Sequence, residues 1–293
     1  MKSKVLALFV VSIIGANAYA DTILGSAASF AVLGSSTVTN TGATTIGGNL
    51  GVSPGSAVTG SGSITIDGTI YQGGAIPQLA QSDTTIAYNS LASELVTQSL
   101  TGQDLGGLTL TPGVYLFSSS AQLTGTLTLN AEGDDDAVWV FQIGSTLTTA
   151  SASNVVFVNL GPSPDNGLFW NVGSSATLGT TTAFAGNILA AQSITLNTGA
   201  TIDCGRALAQ NGAVTMDTNT VSTGCVGTGL VTTNGLDAPD TSNPSPIPEP
   251  ASITLFGSGL LALIFVAARR QKAGNRTTSQ GNLPAADRVS PKS

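Results

Sequence analysis

Apolar and polar residues alternate along much of this chain with a period of two. Leu108, Leu110, Val114 and Leu116 take every second position around Pro112-Gly113, and Leu127 and Leu129 alternate with Thr126 and Thr128. Residues 137–143 and 155–160 are near-continuous apolar runs, as expected of buried strands. The pattern also recurs. Residues 186–196, GNILAAQSITL, resemble residues 205–216, GRALAQNGAVTM, with starts 19 apart. The pairs Thr177-Leu178, Thr195-Leu196 and Thr215-Met216 step by 18 and then 20. Short alternating strands with a period near 20 predict a β-solenoid. One stretch departs from this period. Leu79, Tyr88, Leu91 and Leu95 fall at helical spacing, Pro77 suits a first turn, and Gly102 follows as a stop. This predicts one helix over about 77–100, packed along the solenoid by that stripe.

The ends have a different composition. Lys2 and Lys4, an apolar stretch over 5–14, and Ala18-Tyr19-Ala20 read as a secretory signal peptide over 1–20, cleaved between Ala20 and Asp21. Residues 227–247 are rich in Pro, Asn, Thr and Asp and read as a flexible linker after a body at 21–226. Then come Pro248-Glu249-Pro250, an uncharged run over 251–268, and Arg269-Arg270. That run is just long enough to span a bilayer, and the basic pair should stay cytoplasmic. This order of parts resembles the PEP-CTERM sorting signal of Gram-negative bacteria. The resemblance implies an exosortase-type processing enzyme and an inner membrane that the chain occupies transiently. A polar tail at 271–293 continues past the usual end of that signal, and a plain C-terminal anchor is the alternative.

Charge narrows the function. Charged residues make up 9% of the chain, against about 25% in ordinary globular proteins. Residues 21–250 hold fifteen of the sixteen acids and a single cation, Arg206. Such a body repels phosphate backbones, which excludes nucleic acid as a partner. The chain has no His, so the commonest general base and metal ligand are missing. The acidic run Asp134-Asp135-Asp136 reads as a solvated turn without EF-type ligand spacing. The one Gly-x-Ser-x-Gly match, Gly51-Val52-Ser53-Pro54-Gly55, has no His anywhere in the chain to serve as its base. No catalytic residues, metal site or cofactor are expected. Cys204 and Cys225 lie 21 apart, about one coil. They can pair across neighbouring rungs in an oxidising compartment or remain two thiols.

The tetrapeptide T-G-A-T occurs twice, as Thr41-Gly42-Ala43-Thr44 and Thr198-Gly199-Ala200-Thr201, and Thr180-Thr181-Thr182 lies one repeat before the second copy. Threonines two positions apart on a strand lie about 6.6 Å apart, and adjacent rungs about 4.7 Å. Thr has a restricted χ1, and each Thr offers one hydroxyl and one methyl. A flat, uncharged grid of this kind can hold water in an ice-like arrangement, which makes Thr41, Thr44, Thr180, Thr182, Thr198 and Thr201 candidate ice contacts. The plainer reading is strand and turn chemistry, since Thr favours β-structure.

Residues 24–33 (LGSAASFAVL), 107–117 (GLTLTPGVYLF), 138–143 (VWVFQI) and 169–172 (FWNV), with the two repeats above, resemble the DUF3494 ice-binding family in order through residues 22–224. The resemblance implies an all-β, right-handed, irregular three-faced solenoid with one long helix alongside. It also implies an N-terminal segment that joins the stack out of sequence order, one flat ice-adsorbing face, and a capping insert reduced to 60–76. The expected function is therefore a secreted or surface-held protein that binds ice. A structural or adhesive matrix protein, in contact with exopolysaccharide, is the alternative.

Overall fold

The computed structural model describes residues 23–162 and 166–225. The signal peptide with Ala20 and Asp21, the linker, the sorting segment with its apolar run, and the tail lie outside the described residues. Every strand pairing among the described residues is parallel. Each strand therefore pairs with its counterpart one coil away, and the coil has three faces.

Face one stacks Ala121–Leu123, Leu147–Thr149, Ala176–Leu178, Ile194–Leu196, Val214–Asp217, Thr37–Thr41 and Ala57–Thr59 in that order. Faces two and three form one continuous sheet, because Ala183–Ala190 and Thr201–Ala209 bend through the corner between them. Their register shifts between Ala185 and Gly186. Gly186 sits there at φ 91°, and a Cβ on Gly205 would collide with the Gly186 carbonyl. The glycine that opens each repeat is thus required by the bend.

The stack does not follow chain order. Phe30–Gly34 pairs with Thr201–Ala209, Thr37–Thr41 with Val214–Asp217, and Thr44–Gly47 with Thr220–Ser222. The N-terminal coils therefore sit on top of the C-terminal one, as the resemblance implied. Residues 60–76, expected as a reduced cap, instead continue the coil as Ile64–Ile66 and Ile70–Gln72. The chain must then return to the opposite end, where Gln98–Ser99 begins the sequential coils. Nine strands stack on face three between those points, a span of about 38 Å. A helix of 19 residues covers about 28 Å of it, and an extended stretch covers the rest.

That helix spans Ala75–Ser93, not 77–100. It ends early because the sheet beneath caps it. Gln142 Nε2 donates to the Leu91 and Glu94 carbonyls at 2.8 and 2.9 Å, and Asn171 Nδ2 donates to the Tyr88 carbonyl at 2.9 Å. The Gln142 amide thus satisfies carbonyls that a helix end leaves open, and Asn171 fastens the preceding turn to the sheet. The buried stripe is also different. Pro77, Ala80, Thr84, Ala87 and Leu91 are buried, whereas Leu79 and Leu95 are 56% and 87% exposed. Small residues let the helix approach the N-terminal turn Gly25–Ser29 closely, and a stripe of leucines would hold it off. Asp83 ties the two together, accepting from the Ser26 backbone N–H at 2.8 Å and hydroxyl at 2.5 Å.

The core runs down the coil axis. Tyr115, Phe141 and Trp170 are in register on successive rungs, with ring centroids 5.5 and 4.1 Å apart. Phe184 continues the column at 4.8 Å. The Trp139 and Trp170 indole N–H groups donate to the Leu110 and Ala185 carbonyls, so the polar edge of each ring is satisfied. Arg206 is buried on face three. Its Nε and Nη2 donate to the Ala28 carbonyl at 2.8 and 2.6 Å, and Nη1 to Asn187 Oδ1 at 2.7 Å. Burial lowers its pKa to about 10, so it remains charged at neutral pH. The body's one cation thus fastens the N-terminal turn to the stack.

Cys204 and Cys225 form a disulfide. Closing a loop of this size stabilises by about 3 kcal/mol through the unfolded state. Substitution Arg206→Ala removes the guanidinium donors from the Ala28 carbonyl and Asn187 Oδ1, and should cost about 3 kcal/mol in thermal or urea denaturation. A change below about 0.5 kcal/mol would mean that the turn is held mainly by Asp83 and packing.

Candidate functional site

Along face one every second side chain points outward. Thr148 pairs with Thr177, Thr177 with Thr195, Thr195 with Thr215, Thr215 with Thr39, and Thr39 with Thr59. Six threonines therefore form one unbroken row across six rungs, about 24 Å long, with Gln122 at its end. All six are partly or fully exposed. Their strand neighbours point inward and are buried, among them Leu147, Leu178, Ile194, Leu196, Val214 and Met216. A second row lies two residues earlier in each strand: Ser120, Thr146, Ser175, Ser193, Ala213, Thr37 and Ala57. It contains only small side chains and no charge. Thr146 donates to Ser120 across rungs at 2.9 Å.

The third row is less regular. It holds Thr124, Ala150, Gly179, Asn197, Asp217 and Thr41. Asp217 is the one ionisable group in the three rows. Its carboxylate accepts from Thr198 Oγ1 at 2.5 Å and Thr218 Oγ1 at 3.1 Å. Those hydroxyls, Thr198 first, hold its pKa below the usual carboxylate range, with a further contribution from Thr41. It is ionised at neutral pH and marks the lateral edge of the neutral surface.

The sequence-predicted threonines do not converge on this surface. Thr41 borders it in the third row. Thr180 and Thr198 are exposed on the corner that follows. Thr201 lies on face two, where it pairs with Thr220, which pairs with Thr45, which pairs with Thr65. That second ladder is shorter and is continued by Ala183, Asn154 and Thr126. It is flanked by Asp203 and Asp67, two positions further along their strands.

Thr44 and Thr182 correct the expectation outright, because both are inside the coil at 1% and 0% exposure. The reason is register. Thr201 stacks with Thr220 and Thr45, so Thr44 takes the inward place that Ala200 has in the other T-G-A-T copy. The two identical tetrapeptides are offset by one residue, and one residue reverses which side a strand position faces. The corner explains why polar groups are tolerated there. Ala152, Thr181, Gly199 and Thr218 turn it with positive φ of 57°, 55°, 72° and 55°, leaving carbonyls turned inward. Thr182 Oγ1 donates to the Ala150 carbonyl at 3.1 Å and lies 2.8 Å from Thr149 Oγ1. Asn219 Nδ2 donates to the Asn197 and Ala200 carbonyls at 2.9 Å. Thr44 Oγ1 donates to Asn40 Oδ1 at 2.6 Å. These residues secure the corner.

Sequence reasoning missed Thr39, Thr59, Thr148, Thr177, Thr195 and Thr215 as a site, although a signal for them was present. The pairs Thr177-Leu178, Thr195-Leu196 and Thr215-Met216 marked the repeat, and the same threonines form the row. Two outcomes follow. Thr182→Val should cost about 1–2 kcal/mol in denaturation, because carbonyl and hydroxyl partners inside the corner lose it. Thr198→Val should raise the Asp217 pKa toward the ordinary carboxylate value in an NMR titration, and an unshifted pKa would assign the depression to Thr218 and Thr41.

Three comparisons bear on this arrangement. The sequence profile described as Ice-binding-like matches residues 32–222, and the PEP-CTERM protein-sorting motif matches residues 246–271. An ice-binding protein of Nostoc sp. (strain HG1) is 53% identical over 260 residues, covering 88% of this chain and 91% of that relative. One from Colwellia sp. is 36% identical over 231 residues, covering 73% and 88%. A crystal structure of an ice-binding protein from an Antarctic biological consortium superposes with a TM-score of 0.64 at 46% identity, covering 68% of this chain and 89% of that one. A similar structure from the Antarctic ascomycete Antarctomyces psychrotrophicus gives 0.64 at 40% identity, covering 68% and 96%. With its three-faced parallel coil, out-of-order N-terminal rungs and matching profile, the chain belongs to the ice-binding-like protein family.

Proposed function

We propose that this protein adsorbs to ice through face one and that adsorption, not catalysis, is its activity. The observation that carries the reading is the unbroken row from Thr148 to Thr59, backed by a second row of small neutral side chains. Backbone ladders hold each Cα at a fixed repeat, and the stiff χ1 of Thr limits where its hydroxyl and methyl can go. The methyl favours ordered water beside it, and the hydroxyl anchors that water. Each contact is weak, so affinity comes from many contacts on a surface already rigid before binding. A charge inside the array would keep its own hydration shell, and Asp217 stands at the margin. The names of the relatives support the same reading.

The sorting motif supports export and retention at the cell surface, with an exosortase-type enzyme acting at Pro248-Glu249-Pro250 and Arg269-Arg270. Signal cleavage after Ala20, and the linker at 227–247 as a spacer between body and anchor, belong to this reading. The Thr201 ladder on face two is a lesser contact around the corner from the main surface, limited by Asp203 and Asp67.

The test is ice growth in the presence of the purified exported protein. Faceted crystals and arrested recrystallisation are expected. Thr195→Tyr, in the middle of the row, should remove most of that activity while far-UV circular dichroism stays unchanged. Thr180→Tyr, on the corner, should leave more of it. Round, freely recrystallising ice with the unsubstituted protein would end the proposal, and full activity in Thr195→Tyr would move the site off face one.

A further inference from the structure

The N-terminal coils are joined to the rest of the body by three seams, one on each face. On face three, Val32 and Leu33 pair with Ala207 and Leu208. On face one, Thr37–Thr41 pairs with Val214–Asp217 through four residues. On face two, Thr44–Gly47 pairs with Thr220–Ser222 through three. The C-terminal side of all three seams is built from residues 201–222. In a solenoid stacked in chain order the last strand is an edge strand, and pulling on it removes only itself. Here the last two strands among the described residues are internal. Thr220–Ser222 lies between Thr201–Ala209 and Thr44–Gly47, and Val214–Asp217 lies between Ile194–Leu196 and Thr37–Thr41. Drawing them out would open two seams of three and interrupt the threonine row between Thr195 and Thr39.

The described residues end at Cys225, three residues beyond the last of these strands. The disulfide therefore stands, in chain order, between those strands and the sorting motif at 246–271. Its other half, Cys204, is fully buried at the bend of Thr201–Ala209. That strand pairs with eight residues of Ala183–Ala190 and with two of the N-terminal strand. The Cys204 backbone N–H also donates to the Gly224 carbonyl at 3.3 Å. Load arriving from the C-terminal direction therefore bypasses the short strand Thr220–Ser222 and enters the longest strand of the stack.

We infer that the Cys204–Cys225 disulfide is a mechanical clamp, which directs tension from the C-terminal segment into strand Thr201–Ala209 and keeps the internal strands at 214–222 from being peeled out. This rests on the surface-held reading above for the source of tension, while the clamp itself is a property of the body. An ice-adsorbed molecule tethered to a cell would be loaded in this direction whenever ice and cell move apart.

Single-molecule force spectroscopy tests it on the full-length chain, tagged at both ends and pulled without ice. With the disulfide intact, the body is expected to open at high force without an early step. After reduction of the folded molecule, an early step should appear below that force, because forced opening follows the unfolding barrier. It should release residues 214–225, about 4 nm of chain. Cys225→Ser should behave as the reduced protein does. An identical first-step force before and after reduction would overturn the clamp. So would an early step of that length in the oxidised chain. Loss of the sheet signal on reduction without load would also overturn it, by making the bond a condition of folding. Ice shaping is read separately, so its failure would leave the force result standing.

Discussion

Parallel pairing in fixed register, rung upon rung, is the constraint on which the rest of this molecule depends. It places Thr over Thr on the outside of face one, and Leu147, Ala176, Ile194, Val214 and Val38 over one another on the inside of the same strands. The two columns are linked, since strand positions alternate between them. A slip of one residue would expose the core and bury the threonines together. The outer surface is therefore as well specified as the core, although it contributes little to stability by itself.

Closing such a stack creates two problems, and the chain solves both with unusual connections. Coils that run in order would leave the N-terminal segment remote from the C-terminal one. Placing Phe30–Gly34, Thr37–Thr41 and Thr44–Gly47 on top of the last coil extends face one by two rungs. The cost is a return path of about 38 Å, which the helix supplies. The return is secured by polar groups: Arg206 on the Ala28 carbonyl, Asp83 on Ser26, and Gln142 and Asn171 at the helix end. The body's single cation is used for this joint, so the outer faces carry no positive charge among the described residues.

Charge and polarity are thus sorted by position. Hydroxyls that face outward on strands lie in a neutral grid. Inward at the corner, Thr182 and Asn219 satisfy backbone carbonyls, and Thr44 donates to Asn40 Oδ1 and accepts from the Asn219 backbone N–H. The same residue type serves two ends. Only its parity relative to the strand decides which, and the corners are where parity changes. The corner after face one has three residues between Thr41 and Thr45 but two between Asp217 and Thr220.

The alternation at 108–129, the spacing near 20 and the glycine at the head of each repeat were enough to establish a parallel coil, because these features are local and strand chemistry is periodic. The missing His and the isolated Arg206 pointed away from catalysis and nucleic acid on composition alone. The cysteine spacing admitted a bond between neighbouring rungs without requiring one. What sequence could not supply was parity and partnership. Identical T-G-A-T segments gave no sign that one is offset by a residue, so Thr44 looked like a surface group; Thr182 did too, although Ala183 has the outward place that pairs with Thr201. The helix was legible, and half of its inner stripe with it. Leu91 is buried and Tyr88 packs against the same cluster, whereas Leu79 and Leu95 face outward and Ala80, Thr84 and Ala87 take the inner places beside the neighbouring turn. Which threonines share a face depends on which strands become neighbours, and Thr39 and Thr215 meet across 176 positions of chain. That is a property of the closed stack, and no local pattern encodes it.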